Sequence, residues 1–291
     1  MIDLHCHSTA SDGTDTPTEL VHNAVSAGLT AMAITDHDTT GGWAEAAAAV
    51  RALDVEFTLV PGTEFSCVHI DPAGRRIGLH LLGYLFDPDS AGLRAERLRL
   101  RQSRLGRGEA IVDNLVAAGY PISWQQVTDF ADGGTVGRPH IGQALQQAGV
   151  VGSINEAFAR LLSDDSPYYV PKEDSPVGTA IELITRAGGV AVIAHPWARS
   201  RGAILDEPAL TALVDAGMAG IEVDHVDHAP ADRARLRELA AELGVFTTGS
   251  SDYHGTHKAV RLGAESTEPQ VLRQLLHLGT GSEPIHSSST Q

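Results

Sequence analysis

The sequence has very few cysteines, since Cys6 and Cys67 are the only two among its 291 residues. Two cysteines are too few for the disulfide framework of a small secreted domain, and neither lies in the Cys-x-x-Cys pairs of structural zinc sites. We therefore exclude both classes and interpret the two thiols as small buried side chains.

Long apolar segments are also missing. No run approaches the roughly 20 residues of a membrane-spanning helix, and the first residues lack the basic-then-apolar layout of a signal peptide. Hydrophobic residues nevertheless make up 42% of the chain, enough for the core of one large α/β domain or of one domain with an insertion. The sequence thus predicts a globular cytoplasmic protein with no membrane partner.

Positive charge is scarce, because 21 Lys and Arg residues face 37 Asp and Glu residues and leave a formal net charge of −16. This balance opposes loose binding to nucleic acid, so any phosphate ligand must be held by local positive charge. Tryptophan and tyrosine are scarce too, with three and five residues, whereas there are fourteen histidines. Since histidine is the commonest metal ligand, this excess indicates a metal site.

Short apolar runs and helix signals alternate over residues 1–90 and again over residues 166–291. A capping box at Thr16-Pro17-Thr18-Glu19 begins the first predicted helix, which should end at Gly28. Such alternation is typical of parallel strands, and it is interrupted at residues 91–165 by a purely helical pattern. We predict an α/β barrel with an all-helical insertion at 91–165 that caps the active site, and a frayed tail over the last dozen residues.

The first strand carries a His-x-His pair within Asp3-Leu4-His5-Cys6-His7-Ser8. Side chains alternate between the two faces of a strand, so His5 and His7 should project together while Leu4 and Cys6 face the other way. The pair indicates a metal site, although an exposed strand that happens to carry two histidines explains it equally well in isolation.

Further polar residues occur at or just after the predicted strands, and in a barrel the carboxyl ends of the strands converge on one mouth. The six histidines and three carboxylates of this set are His5, His7, Asp12, His37, Glu64, His80, His195, Asp252 and His254. Each alone has an ordinary structural explanation. Their joint placement at strand ends favours a metal cluster.

These motifs resemble the polymerase and histidinol phosphatase (PHP) family of metal-dependent phosphoesterases. The matching segments are Asp3–Ser8, Thr35-Asp36-His37-Asp38, Gly62-Thr63-Glu64, Ala194-His195-Pro196 and Ser251-Asp252-Tyr253-His254. The resemblance implies a distorted seven-stranded (β/α)7 barrel, and the helical insertion is similar to that of the nucleotide-phosphatase branch.

The family pattern implies three divalent ions. One would be bound by His5, His7, Glu64 and Asp252, a second by Glu64, His80 and His195, and a third by Asp12, His37 and His254. Many members of the family have histidine in place of Asp12, so the third site would either bind its ion more weakly or prefer a harder ion. Nitrogen and oxygen ligands are compatible with Mn, Fe or Zn.

Three such ions and three carboxylates leave a local positive charge that attracts phosphate. The ions would supply a bridging hydroxide as nucleophile, so that no protein nucleophile is needed. A histidine would protonate the leaving oxygen, and the candidates are His225 and His228 beyond the strand Ile221–Val223. We assign catalysis to His225, the nearer to the strand end, together with the ligand Asp252, and the alternative for His225 is a solvated loop histidine.

Phosphate recognition usually adds arginine or lysine. The segments Gly137-Arg138-Pro139-His140 and Tyr169-Val170-Pro171-Lys172 resemble motifs of the nucleotide-phosphatase branch, so Arg138, His140, Lys172 and Arg199 are the expected substrate contacts. Ordinary surface charge is the alternative for each. The arginine run between Arg94 and Arg107 lacks interleaved aromatic residues, so we interpret it as a solvated helix face.

The favoured function is hydrolysis of a phosphomonoester in a small nucleotide, either a nucleoside monophosphate such as AMP or a 3′,5′-bisphosphate nucleotide. The alternatives are a 5′-3′ exonuclease on short RNA or DNA, a histidinol phosphatase, and a non-catalytic metal-binding module. The complete ligand set argues against the last, and no stable complex with nucleic acid is expected.

Overall fold

The computed structural model describes residues 1–287 and contains a nearly closed, barrel-shaped sheet surrounded by helices. The strands are β1 Ile2–Cys6, β2 Ala31–Ile34, β3 Thr58–Ile70, β4 Arg76–Tyr84, β5 Ser175–Pro176, β6 Val190–Ala194, β7 Gly220–Asp224, β8 Phe246–Gly249 and β9 Ile285–His286. The helices are α1 Pro17–Ser26, α2 Trp43–Arg51, α3 Ala91–Ala117, α4 Trp124–Ala131, α5 Arg138–Gln147, α6 Ile154–Ala157, α7 Val177–Arg186, α8 Glu207–Asp215, α9 Pro230–Leu243 and α10 Pro269–Leu278. Within residues 1–287, no helix combines the length and apolar character needed to cross a membrane.

Seven strands follow one another around the barrel in the order β1-β2-β3-β4-β6-β7-β8, so the predicted seven-stranded α/β barrel is confirmed. The barrel closes through the segment after β8, where Tyr253 exchanges backbone hydrogen bonds with His5 and His7 at 3.3 and 2.9 Å. This closure brings the first and last metal-site motifs side by side.

The parallel pairing that the alternation of strands and helices predicts is wrong for β4. This strand is antiparallel to both of its neighbours, β3 and β6, whereas the other neighbouring strands of the barrel are parallel. The cause is local, because β3 and β4 are joined by the short turn Asp71–Arg75, and a short turn can connect only antiparallel strands.

Local signals in the sequence place the first helix correctly. The Thr16 hydroxyl accepts a hydrogen bond from the Glu19 backbone, the Glu19 carboxylate accepts one from the Thr16 backbone, and Gly28 adopts a left-handed φ of 81° after the helix end. Ser175-Pro176 has the sequence of a helix start, but α7 begins only at Val177, because these two residues pair with Cys67 and Val68 of β3.

Every regular element between Ala91 and Leu162 is helical, including a π-helical turn at Phe158–Leu162. Residues of α3, α4, α5 and the π-turn share a hydrophobic cluster that includes Ile111, Val127, Ile141 and Leu161. The first half of α3 packs differently, because Leu93 belongs to the cluster between the barrel and its outer helices. Helix α3 thus connects the helical segment to the barrel.

The chain end is more ordered than expected up to His286. Strand β9 pairs with β3, and the backbone N–H groups of Thr280 and Gly281 donate to the Gly188 carbonyl. The frayed tail predicted there is therefore wrong over residues 280–287, while residues 288–291 lie outside the described part of the chain.

Candidate metal centre

The nine residues expected at strand ends all converge on one mouth of the barrel, although two come from within strands. His5, His37, His195 and Asp252 lie at or just beyond the ends of β1, β2, β6 and β8. Glu64 and His80 lie inside β3 and β4, because this long antiparallel pair continues past the barrel mouth. The prediction that every residue marks a strand end is wrong for these two, but their side chains still reach the site.

The predicted side-chain alternation in β1 is correct for Cys6 and wrong for Leu4, because the strand contains an irregularity. Cys6 packs outward against α1 and α2, on the opposite side from His5 and His7, as expected. Leu4, however, belongs to the cluster inside the barrel, and the register between β1 and β2 shifts between Asp3 and Cys6. This bulge lets both Leu4 and His5 face the interior.

Glu64 lies at the centre of the cluster, with 1% of its surface exposed. Its Oε2 atom lies 3.2 Å from His5 Nε2, 3.1 Å from His7 Nε2 and 3.1 Å from His37 Nδ1. Its Oε1 atom lies 2.7 Å from His80 Nδ1 and 3.2 Å from His195 Nε2. One carboxylate therefore faces five imidazoles, the arrangement expected of a ligand that bridges two ions.

Asp12 and Asp252 complete the cluster on either side of His7. An Asp12 oxygen lies 3.4 Å from His254 Nε2, and the other lies 3.8 Å from His37 Nε2. Oδ1 of Asp252 lies 3.5 Å from the Nε2 atoms of both His5 and His7. All nine side chains are thus brought together.

Many polar atoms in the cluster are buried and make no hydrogen bond to any atom of residues 1–287. They are His5 Nε2, His7 Nε2, Asp12 Oδ1, His37 Nδ1, Glu64 Oε2, His80 Nδ1, His225 Nε2 and Asp252 Oδ1. Buried polar atoms are normally satisfied, and so many in one place point to a missing partner. Nitrogen and oxygen atoms converging in this way fit divalent cations.

The electrostatics of the carboxylates fit the same interpretation. Burial by itself would raise the pKa of Glu64 and of Asp12, but attraction to the imidazoles, His80 first for Glu64 and His37 first for Asp12, holds both pKa values well below their usual range. Burial lowers the pKa of His195 to about 3 and of His254 to about 4. The carboxylates are therefore charged and these two imidazoles neutral, as metal ligands must be.

Two cations that we did not predict lie beside Asp252. The Arg201 guanidinium and the Lys258 ammonium each donate to its Oδ2 atom at 2.7 Å. Arg201 also donates to Asp227 at 2.7 Å and approaches His195 Nε2 at 3.1 Å. Lys258 follows the His254 motif closely in the sequence, a signal that could have identified it.

Arg199, by contrast, is not brought to the cluster. Its guanidinium donates to both oxygens of Asp232 at 2.8 and 3.0 Å and lies over the Trp197 ring, with more than half of its side chain exposed. The 3₁₀ turn Arg199–Arg201 places Arg201 rather than Arg199 beside Asp252, and substrate contact by Arg199 stays a prediction.

His225 and His228 differ in what their ring nitrogens contact. Both nitrogens of His228 are engaged, since Nδ1 donates to the Val223 carbonyl at 2.8 Å and Nε2 accepts from the Trp197 N–H at 3.2 Å. His225 is fully buried, accepts from the Asp227 N–H through Nδ1 and places Nε2 3.5 Å from Asp252 Oδ2. Only His225 therefore presents a ring nitrogen to the cluster.

The helical segment reaches the cluster at the start of α5. A methyl group added to Gly137 would lie 3.1 Å from Oδ2 of Asp12. His140 accepts a hydrogen bond from the Gly137 N–H through Nδ1, and burial lowers its pKa to about 4. Arg138 instead donates to Asp164 at 2.6 Å and to the Leu162 carbonyl. Gly137 therefore contacts a cluster residue, whereas the Arg138 guanidinium is held by partners within the helical segment.

A cleft of about 420 Å³ opens between α3 and the segment that carries Lys172. Arg99, Arg107 and Lys172 contribute positive charge to its walls. Burial first, and then the neighbouring Arg104, lowers the pKa of Lys172 to about 8, even though Lys172 forms an ion pair with Asp174. The cleft is a basic surface in an acidic protein.

The interpretation of the arginine run as a solvated helix face is wrong for two of its members. Arg97 is buried, lies over the Phe86 ring and donates to the Pro88 carbonyl. Arg104 is also buried and donates to Asp38 at 2.5 Å. Because Asp38 follows His37, this buried ion pair joins α3 to the metal site.

Comparisons with known proteins agree with the geometry. The family described as "PHP domain" matches residues 3–118. A 5′-3′ exoribonuclease of Haemophilus influenzae is 35% identical over 269 residues, which cover 90% of this chain and 92% of that protein. A 3′,5′-nucleoside bisphosphate phosphatase of Chromobacterium violaceum is 32% identical over 276 residues, 94% of each chain.

A solved structure extends the similarity to the whole fold. The crystal structure of a predicted metal-dependent phosphoesterase from Bifidobacterium adolescentis superposes with a TM-score of 0.91 and 35% identity, covering 96% of both chains. The similarity therefore includes the helical segment as well as the barrel.

Proposed function

Because the chain belongs to the PHP family and is a metal-dependent phosphoesterase, we propose that it hydrolyses a phosphomonoester of a small nucleotide. The substrate is a nucleoside monophosphate such as AMP or a 3′,5′-bisphosphate nucleotide. The observation that carries the proposal is the single carboxylate of Glu64 facing five imidazoles.

Three divalent ions, Mn, Fe or Zn, would occupy the centre. The first would be bound by His5, His7, Glu64 and Asp252, whose ligand atoms lie within 4.8 Å of one another. The third would be bound by Asp12, His37 and His254, which belong to a second such group together with His7. The second would be bound by Glu64, His80 and His195, since both imidazoles lie next to Oε1 of Glu64.

The ions would lower the pKa of a water molecule toward 7 and neutralise charge on the phosphate. The chain's own residues then have separate tasks. Arg201 and Lys258, which converge on Asp252, would bind the phosphate oxygens in place of Arg199. His225 would hold a proton at Nε2 and transfer it to the leaving oxygen, and Asp252 would orient this histidine.

The helical segment 91–165 would act as a cap that selects the substrate. It contacts the loop of Asp12 at Gly137, and the His257 ring accepts from Gln143 of α5 while it donates to the Asp12 carbonyl at 2.7 Å. His140 is next to this contact and would bind the nucleotide beside the reacting phosphate.

The cationic groups of the cleft favour a substrate with a second phosphate. Lys172 and Arg107 line the cleft, and Arg138 contributes to a smaller cavity that also borders Arg107. A 3′,5′-bisphosphate nucleotide would place one phosphate at the metals and the other among these cations. The bisphosphate phosphatase activity named for the Chromobacterium violaceum relative supports this choice.

The second candidate function is 5′-3′ exonuclease activity on short RNA or DNA. The similarity to the exoribonuclease of Haemophilus influenzae over 92% of its length favours it. Both functions use the same metal chemistry, and they differ in whether the cleft accepts a chain of nucleotides or a single one.

The test measures release of inorganic phosphate from AMP, adenosine 3′,5′-bisphosphate and histidinol phosphate, and release of nucleoside monophosphate from a 5′-phosphorylated dinucleotide, by protein loaded with manganese. We expect the highest kcat/KM for the bisphosphate. Preferred cleavage of the dinucleotide would establish the exonuclease instead, and no turnover of any compound would favour a non-catalytic module. A cytoplasmic location also remains a proposal, which fractionation of the source cells would test.

A further inference from the structure

A fourth carboxylate, Glu222, lies in the wall of the metal centre and was not predicted as part of it. It is the middle residue of β7, with none of its surface exposed, between Ile221 and Val223 that pack outward against the helices. A buried ionised carboxylate is costly unless protein groups compensate for its lost hydration. Glu222 should therefore have partners that require its charge.

Its two oxygens have different partners. Oε1 lies 3.0 Å from Nδ1 of His5, and Oε2 accepts from the backbone N–H of His195 at 2.8 Å. In the proposed assignment His5 and His195 bind different ions. One carboxylate thus contacts ligands of two metals.

The contact with His5 fixes how that ring is used. An imidazole that donates from Nδ1 to a carboxylate carries its lone pair on Nε2, and such a carboxylate also makes the ring more basic as a ligand. Nε2 of His5 faces Glu64 and Asp252 and makes no hydrogen bond within residues 1–287.

The contact with His195 stabilises an unusual backbone. His195 has a φ of 29°, in the left-handed region that residues other than glycine rarely adopt. Such a conformation persists only where the surroundings hold it, and the hydrogen bond from the His195 N–H to Glu222 is one such restraint. This conformation directs the ring to Oε1 of Glu64 at 3.2 Å.

We propose that Glu222 is a positioning residue that presets His5 and His195 together and so couples the first and second metal sites. The inference rests on the proposed metal binding. The alternative is that Glu222 is itself a ligand, because its carboxylate lies within 4.8 Å of ligand atoms of both histidines. Against this alternative, both of its oxygens already accept hydrogen bonds from protein groups.

The test compares Glu222→Gln with Asp224→Asn, which removes the same charge from the same strand. Asp224 points away from the centre to Arg237 at 2.7 Å, so it is a matched control. A glutamine side chain cannot accept both hydrogen bonds, because its NH₂ group would face one of the two donors, the His5 Nδ1–H or the His195 backbone N–H. We expect Glu222→Gln to bind Mn²⁺ and Co²⁺ about 10- to 100-fold more weakly than wild type, and Asp224→Asn to bind them as wild type does.

Metal affinity, metal stoichiometry at saturation and the melting temperature of the metal-free protein are measured for each variant. A positioning role predicts that Glu222→Gln binds metal more weakly but with full stoichiometry, and that its cobalt absorption spectrum differs from that of wild type. Glu222→Asp, which keeps the charge, should restore the wild-type spectrum in part. Wild-type affinity in Glu222→Gln, even with a lower melting temperature, would overturn the proposal. Loss of a whole metal equivalent at saturation would also overturn it and establish Glu222 as a ligand.

If Glu222→Gln does not fold, Glu222→Asp decides the question. The shorter side chain reaches one partner but not both, so weaker metal binding is expected, and unchanged affinity would refute the role. Failure of the wild-type protein to bind metal would refute the proposed function itself. Failure of the proposed function and failure of the Glu222 proposal are thus distinguishable, because metal binding by the wild-type protein is measured before any variant is compared.

Discussion

The pKa of Lys172 makes a specific prediction about the pH dependence of catalysis. Lys172 is surrounded by Arg104 on α3, by Asp38 after β2 and by its neighbour Asp174. Burial and the adjacent Arg104 lower its pKa to about 8, despite attraction to the two carboxylates. If this ammonium binds a phosphate of the substrate, the binding is present below pH 8 and is lost as the pH rises through that value.

The magnitude follows from the titration. With a pKa of about 8, roughly nine-tenths of Lys172 is protonated at pH 7 and roughly one-tenth at pH 9. Since kcat/KM reports the ionisation of the free enzyme, it should fall about tenfold over this interval through Lys172 alone. The pKa of an arginine guanidinium lies far above this range, so Lys172→Arg should lack this part of the decrease.

The assay is initial-rate phosphate release from adenosine 3′,5′-bisphosphate at several pH values for wild type and Lys172→Arg. The open cleft beside Lys172 leaves room for the larger side chain. The ratio of the two kcat/KM values removes every pH effect that the proteins share, including those of the metals. We expect this ratio to fall about tenfold between pH 7 and 9, and a constant ratio would refute the role of Lys172.

Three further predictions concern residues around the centre. Arg104→Met leaves Asp38 charged and buried and should destabilise the metal-free protein by about 3–5 kcal/mol in urea unfolding, whereas a loss below about 1 kcal/mol would contradict the buried ion pair. Arg201→Met should raise KM for the substrate at least tenfold, whereas Arg199→Met should change it less than twofold. Equal effects of the two substitutions on KM would show that Arg199 contacts the substrate as Arg201 does. His225→Asn should lower kcat for ordinary phosphomonoesters by about 10²–10⁴ yet spare substrates with acidic leaving groups, and unchanged turnover of both would remove His225 as the acid.

Local signals were sufficient to predict most of the barrel. Alternating apolar runs and helix starts such as Thr16–Glu19 depend on neighbours in sequence, so they identified the α/β class and the helical segment. The direction of β4 could not be derived from alternation. It depends on the turn Asp71–Arg75 and on pairing with β6, more than one hundred residues later in the chain.

The residues of the site likewise differ in whether the sequence alone could identify them. The cluster histidines could be predicted because they stand in recognisable motifs beside strands. Arg201 and Arg199 are separated by one residue, and only the geometry of the 3₁₀ turn decides which of them reaches Asp252. Glu222 gave a signal that could have been used, because a carboxylate between apolar residues of a predicted buried strand requires a partner.

The central claim is that this cluster binds the metals that hydrolyse the phosphoester. The most direct test measures metal content and phosphate release together, for metal-depleted protein titrated with Mn²⁺, Fe²⁺ or Zn²⁺, in wild type and in Glu64→Gln. We expect no release without metal, restoration as up to three equivalents bind, and loss of both metal and activity in the variant. Full activity in the metal-depleted protein, or wild-type metal content and turnover in Glu64→Gln, would contradict the account.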